Sequence, residues 1–299
     1  MSEEKTTSAI FSIADVLFES SEILRKAGVV DSRRDAGSLL AHVLDKDRTF
    51  LISHPEAHID PSACNKFREL VERRAAGEPV QYLTGQQDFY GRVFRVSADV
   101  LIPRPETELL VEAALEFMNG SWFCDVGTGS GCIAVTLLCE KLNARGMALD
   151  LSPVALKIAK QNAVTHNVDD RLEYLISDCF DSLDESTPPF DLIVSNPPYV
   201  AAGVVAGLQR EVRDYEPLIA LTPGPDGLSI IRRLIDEAPR FLRKNGYLLL
   251  EIGFDQADAV RRLVQRTNWR LVDIKPDLQG IPRIVVLQNT PGPSQPAEI

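Results

Sequence analysis

The chain reads as an α/β protein: a mostly parallel sheet wound by helices, ending on an antiparallel last strand and preceded by a small helical bundle. Three observations lead there. Residues 10 to 80 carry only helical stripes of apolar side chains. From Pro103 up to Glu251 short apolar runs alternate with helical patterns, as β–α–β units do. Four of the strand ends in that region carry loop residues suited to a ligand, and the carboxyl ends of strands are where open α/β sheets bind.

The elements follow in order. Residues 12–28 place Ile13, Val16, Leu17, Leu24 and Ala27 on one helical stripe, and Ala36, Leu39, Leu40 and Val43 mark a second helix. Asp60 caps a third, with Pro61 at its first position and Phe67, Leu70 and Val71 inside. Residues 1–85 thus form an N-terminal helical domain, for which substrate docking is the expected added role. The alternation from Gln87 to Val96 around Gly91 predicts a β-hairpin linking two domains across residues 86–100. Pro103 and Pro105 frame the start of a helix bearing Leu109, Leu110, Ala113, Ala114 and Phe117. Glu106 and Glu108 lie in its first turn, where the helix dipole favours carboxylates. The second domain spans residues 101–289. Its last two runs, Trp269–Ile274 and Ile281–Leu287, are too close in sequence for a crossover helix, which predicts antiparallel pairing. The tail, 290–299, has three prolines and is expected to be disordered.

The strand ends carry the chemistry. After the run that starts Trp122-Phe123-Cys124 comes Asp125-Val126-Gly127-Thr128-Gly129-Ser130-Gly131, and then a helix from Cys132 to Leu138. Glycines allow a tight turn and close backbone approach, and the helix start offers unpaired N–H groups. The Gly-x-Gly-x-Gly spacing departs from the dinucleotide fingerprint, and no Walker Gly-Lys-Ser/Thr follows. Gly146–Asp150 is a short strand ending in a carboxylate 19 residues after Gly131, placed to take ribose hydroxyls. Ser152 and Pro153 then cap and open a helix. Following Leu172–Ile176, Asp178 suits an adenine amino group, with Cys179 or Phe180 packing on the ring. Last, the run Phe190–Ser195 leads into Asn196-Pro197-Pro198-Tyr199. The prolines stiffen this loop. The Asn196 side-chain carbonyl and the Pro197 backbone carbonyl can each accept one N–H of an NH2 group while Tyr199 covers its flat face. Taken singly, each of these segments is also compatible with a plain structural turn.

The order of glycine turn, ribose acid, adenine contact and amide clamp resembles that of S-adenosylmethionine methyltransferases. More narrowly, the chain resembles the HemK-type protein-(glutamine-N5) methyltransferases, which modify peptide-chain release factors. The resemblance rests on Pro79–Gly85, Leu101–Glu108, Asp125–Gly131, Val194–Tyr199, Glu211–Pro217, Leu250–Gly253 and Asp277–Gly280, and runs from Phe11 to Gln288. It implies a Rossmann-like class I S-adenosylmethionine methyltransferase domain. It implies S-adenosyl-L-methionine as cofactor, held by Gly127, Thr128, Gly129, Ser130, Gly131, Asp150, Asp178, Cys179 and Asn196. It further implies catalysis by Asn196, Pro197 and Tyr199, with Asn196 to Tyr199 as the substrate clamp, and the glutamine of a release factor's Gly-Gly-Gln loop as substrate. Cys179 departs from the family, whose members often carry an aromatic or leucine there.

Composition narrows the rivals. The 299 residues carry 32 Lys and Arg against 43 Asp and Glu, a net charge of −11. A protein that grips nucleic acid presents a basic surface. The balance therefore counts against the first rival, an amino methyltransferase acting on adenine in DNA or RNA, and no nucleic-acid partner is expected. A second rival is a non-enzymatic adaptor with a vestigial cofactor fold; the intact Gly127, Gly129, Asp150 and Asn196 count against it. The five cysteines form no C-x-x-C pair and the four histidines no ligand pattern, so reduced thiols and no metal are expected. No apolar stretch reaches the ~20 residues of a membrane span, and the start lacks a signal-peptide core. A cytoplasmic monomer is the resulting expectation.

Overall fold

The computed structural model describes residues 11–118 and 122–290, arranged as two compact units. The expected disorder of the tail falls, past Thr290, outside the described residues. Of the described residues, the first unit holds 11–85 with 209–215, and the second the remainder.

In the first unit a two-residue strand β1 (Phe11–Ser12) precedes α1 (Ile13–Lys26), α2 (Ser32–Leu44) and α3 (Arg48–Ser53). Strand β2 (His58–Ile59) then leads to α4 (Pro61–Ala75) and α5 (Val80–Thr84). The helix starts are written locally. Ser12 and Asp15 form a reciprocal capping box on α1, Asp47 accepts the Phe50 N–H of α3, and Asp60 accepts the Ser62 N–H of α4. The apolar stripes meet in a core centred on Leu24, Leu39, Leu40 and Phe67. Sequence periodicity finds α1, α2 and α4. Helices α3 and α5, six and five residues long, are too short to show a period.

The second unit opens with the antiparallel hairpin β3 (Gln86–Phe89) and β4 (Arg92–Arg95), followed by α6 (Thr107–Phe117). Then come β5 (Trp122–Val126), α7 (Cys132–Glu140), β6 (Arg145–Asp150), α8 (Pro153–Thr165), β7 (Leu172–Ile176) and β8 (Phe190–Ser195). The next helix, α9 (Arg210–Tyr215), belongs to the first unit, although the sequence reading assigns it to the 101–289 domain. The reason is a buried cation: Arg74 pairs with Asp35 at 2.8 Å and with Glu211 at 2.9 Å. A buried guanidinium needs this many acceptors, and one of them comes from α9. The chain resumes in the second unit with α10 (Leu218–Leu221), α11 (Ser229–Glu237), β9 (Leu242–Glu251), α12 (Ala257–Val264), β10 (Trp269–Pro276) and β11 (Pro282–Asn289).

The seven strands lie in the order β10-β11-β9-β8-β5-β6-β7. All neighbours from β9 to β7 are parallel; β11 is antiparallel to both β9 and β10. Each face of the sheet is covered. One core gathers Leu110, Val111, Leu137 and Leu138, the other Ile231, Leu234, Val260 and Trp269. Strands buried on both faces read as continuous apolar runs, as Leu192-Ile193-Val194 does. From β5 the chain moves outward through β6 and β7, then returns to β8 on the other side of β5. The direction of winding reverses there, and the crevice outside the ends of β5 and β8 is where such sheets bind ligands.

Candidate active site

The glycine loop is fixed from three directions. The N–H groups of Gly127 and Thr128 both donate to the Leu149 carbonyl at the end of β6, at 2.8 and 3.0 Å. The Gly129 N–H donates to Asp150 Oδ2 at 2.8 Å, while Asp150 Oδ1 accepts the Ser152 N–H at 2.9 Å. Asn162, buried on α8, donates to the carbonyls of Ser130 and Arg95 and accepts the Arg95 N–H, tying loop, helix and hairpin together. Gly127 and Gly129 take left-handed φ values of 73° and 55°, and a Cβ on either would meet no heavy atom within 4 Å. The loop therefore leaves room for a ligand to approach its backbone. At its root Asp125 is fully buried. Its Oδ2 accepts the Thr128 hydroxyl at 2.7 Å and the Ala134 N–H at 3.3 Å, whereas Oδ1 has no partner among the described residues. Burial pushes this carboxyl up to about 7, opposed by those two hydrogen bonds. Burial also raises Asp150, against the backbone N–H groups that it accepts.

Asp178 follows β7 and is exposed, but its carboxylate is engaged. Arg233 of α11 pairs with its Oδ1 at 2.8 Å, bonds its backbone carbonyl at 3.0 Å, and also holds Asp181 and Glu237. Sequence reasoning misses Arg233, which reads only as a charged position on an amphipathic helix. Of the two residues expected on an adenine ring, Phe180 is committed to the core, stacked on Phe241 at 5.2 Å. Cys179 is buried in a left-handed conformation with φ 48°, and burial pushes its thiol up to about 12.

The Asn-Pro-Pro-Tyr segment leaves β8 beside the glycine loop, where the Ser195 hydroxyl donates to the Val126 carbonyl at 2.6 Å. Asn196 Nδ2 donates to Thr107 Oγ1 at 3.0 Å, at the first turn of α6. The Tyr199 hydroxyl donates to Glu251 Oε1 at 3.2 Å. Glu251 ends β9 and is buried, and its Oε2 has no hydrogen-bond partner among the described residues. Burial pushes its carboxyl up to about 7, opposed by the hydroxyls of Thr107 and Tyr199 and by the charge of Arg283. Burial likewise raises the Tyr199 hydroxyl, and the Glu251 charge adds to it. Gln256 holds the other end of the loop: Nε2 donates to the carbonyls of Tyr199 at 2.9 Å and Gly227 at 3.2 Å, and Oε1 accepts the Gly253 N–H.

Thr107 thus holds Asn196, while Glu251 and Gln256 hold Tyr199, and sequence reasoning gave none of the three an individual role. The available signal was Glu251 itself. A carboxylate directly after Leu248-Leu249-Leu250 ends a buried strand and must have a reason to be there.

The PrmC N-terminal domain family matches residues 15–85, and the methyltransferase small domain family matches residues 105–211. A release factor glutamine methyltransferase of Cereibacter sphaeroides is 46% identical over 91% of this chain and 96% of its own length. One from Nitratidesulfovibrio vulgaris is 43% identical over 88% of this chain and 90% of its own. Among solved structures, a Pyrococcus furiosus methyltransferase superposes with a TM-score of 0.51 at 16% identity, covering 68% of this chain and 91% of that one. The hMettl16 catalytic domain, solved with a MAT2A 3'UTR hairpin, gives 0.56 at 15% identity over 86% and 95%. At such low identity these two show the shared fold alone. The sequence relatives, matched over nearly their whole length, show more: the chain belongs to the release factor glutamine methyltransferase family and is a methyltransferase.

Proposed function

We propose that the chain transfers a methyl group from S-adenosyl-L-methionine to the side-chain nitrogen of the glutamine in the Gly-Gly-Gln loop of a peptide-chain release factor. The observation that carries this reading is the Asn196–Thr107 hydrogen bond. With an N–H of the amide committed to Thr107, Oδ1 is the group left to accept a substrate N–H. The relatives' names supply the substrate class.

The residues at the glycine loop fit the cofactor. Space lies beside Gly127 and Gly129, and Asp125 Oδ1 is a buried acceptor in want of a donor, suited to an amino group. Gly127 to Gly131 would cradle the amino-acid portion, Asp150 the ribose, and Asp178 with Cys179 the adenine. When bound, the cofactor supplies an electrophilic methyl on a sulfonium. A glutamine amide is a weak nucleophile, because its lone pair is delocalised into the carbonyl, so the protein's task is alignment. Orientation in a dry pocket can contribute ~7–11 kcal/mol to such a step. Asn196 Oδ1 and the Pro197 carbonyl accept the two amide N–H groups. Both contacts strengthen as positive charge builds on nitrogen, which favours the transition state over the ground state. The Tyr199 ring fixes the amide plane, with Pro198 stiffening the loop. No general base is needed before transfer, since the methylated nitrogen becomes acidic and loses its proton afterwards.

The test is to incubate the chain with S-adenosyl-L-methionine and an unmodified release factor and to map added methyl groups by peptide mass spectrometry. One methyl on the Gly-Gly-Gln glutamine is the expected result; none on a competent factor would overturn the reading. Asp150 offers a separate check. Asp150→Ala is expected to raise the cofactor Kd at least tenfold, about 1.4 kcal/mol, by removing both a ribose acceptor and the anchor of the Gly129 N–H. A calorimetric Kd equal to that of the unmodified chain would remove Asp150 from the cofactor site.

A further inference from the structure

We propose that Arg104 and Glu216 form a substrate-docking pair beside the Asn196–Tyr199 clamp. Glu216 fixes the Arg104 guanidinium, whose remaining N–H groups take main-chain carbonyl oxygens of the peptide loop that bears the glutamine. The proposal rests on the glutamine chemistry above and adds how the chain around that glutamine is held. The two residues lie in Leu101–Glu108 and Glu211–Pro217, segments that carry part of the family resemblance and that the methyl transfer itself leaves without a role. They are 112 positions apart, and Arg104 Nη2 donates to Glu216 Oε1 at 2.5 Å.

Each partner is anchored to one end of the clamp. The Arg104 carbonyl accepts the Thr107 N–H at 3.0 Å, and Thr107 Oγ1 in turn accepts Asn196 Nδ2. Glu216 directly precedes Pro217, the cap of α10. At the far end of that helix the Leu221 carbonyl accepts the N–H of Val200, the residue after Tyr199, at 2.9 Å. Burial of the pair is uneven: the Glu216 side chain is 1% exposed and the Arg104 side chain 31%. A buried carboxylate needs its cation held close, so the guanidinium is fixed by its inner edge while its outer edge reaches solvent. A guanidinium carries five N–H donors, and the bond to Glu216 is the one side-chain hydrogen bond of Arg104 among the described residues. The other donors are left for a ligand. Charge indicates which kind. Paired with Glu216, the guanidinium forms a unit without net charge, which suits a neutral peptide carbonyl better than the carboxylate of the cofactor. None of the hydrogen bonds described for the glycine loop runs to Arg104. A glutamine flanked by glycines offers main-chain carbonyls that no neighbouring side chain shields.

The test measures methylation of an unmodified release factor, cofactor Kd by calorimetry, and Tm, for the full chain and three variants. Arg104→Met keeps the apolar stem and removes the donors. Glu216→Gln keeps the shape and removes the charge that fixes the guanidinium. The double variant removes both charges. A docking contact away from the reacting nitrogen is the same in the ground and transition states, so it acts on KM. Arg104→Met is expected to raise KM for the release factor at least about tenfold, the scale of a lost charge-assisted hydrogen bond, with kcat within about threefold and cofactor Kd within about twofold. Glu216→Gln is expected to raise KM by about 3- to 10-fold, because the guanidinium is loosened and not lost. Arg104→Met alone leaves the Glu216 carboxylate buried without this cation and is expected to melt lower. The double variant lacks that charge and is expected to recover most of the lost Tm while keeping the raised KM. An unaltered KM for Arg104→Met would overturn the proposal. So would a KM that recovers together with Tm in the double variant, which would make the pair structural. A cofactor Kd raised as much as KM would overturn it too, by moving Arg104 to the cofactor. If the unmodified chain methylates no glutamine of the release factor, the proposed function falls and this pair's role with it; an unaltered KM in variants of an active chain removes the pair's role alone.

Discussion

Asn196→Ala is expected to lower kcat by about 10²–10³-fold, the usual consequence of deleting one preorganised hydrogen-bonding group at a charge-developing centre. Cofactor affinity is expected to stay within about threefold. The reason for the split is where the side chain is committed. Its partner is Thr107, on a different element from the glycine loop, and no hydrogen bond links it to Asp125, Asp150 or Asp178 among the described residues. Truncation also leaves Thr107 Oγ1 without its donor, which costs about 1 kcal/mol of stability, too little to unfold a domain of this size. Single-turnover kinetics and calorimetry on the same preparation separate the two effects. A parallel loss of turnover and cofactor binding in the folded variant would assign Asn196 to the cofactor instead.

What the sequence revealed, and what it hid, follows from the range of each interaction. Ser152 and Pro153 start α8 where expected, because a cap and a proline at the first position act within one turn. The antiparallel pairing of β10 and β11 was legible from the shortness of their connection. The strand-end positions of Asp150 and Asn196 were legible from apolar runs that stop at a polar residue. The partners were not. Thr107 reaches Asn196 across 89 residues and Tyr199 reaches Glu251 across 52, and no local pattern records either. Arg233 meets Asp178 only because α11 packs under the loop after β7. Phe180 was an adenine candidate by position, yet the stacking surface of Phe241, 61 residues on in a segment with no motif, claims it. The assignment of residues 209–215 turned on Arg74, a buried cation that reads in sequence as one more charge at a helix end.

Gly227→Ala is expected to disturb the clamp without touching any group that meets substrate. Gly227 has φ +71°, and a Cβ there would run into the Tyr199 carbonyl oxygen and lie 3.1 Å from the Ala201 nitrogen. Both are backbone atoms, so no flexible side-chain end can swing away. The left-handed conformation alone costs a non-glycine residue about 1–2 kcal/mol. Relieving the contact means moving the Tyr199 carbonyl, which is held by Gln256 Nε2 at 2.9 Å, and with it the ring and its hydroxyl on Glu251. The combined penalty is expected to be about 3–5 kcal/mol, at the upper end for a single substitution, with Tm falling by roughly 10 °C. Gly224→Ala is the control. Gly224 also has a positive φ, +133°, but a Cβ there meets nothing within 4 Å, so that variant bears backbone strain alone. Gly227→Ala is expected to lose at least tenfold more kcat than Gly224→Ala when both are assayed well below their melting temperatures. Equal activities would mean that the loop absorbs the added methyl before the displacement reaches Tyr199, and that the tyrosine is held by Glu251 rather than by its own backbone.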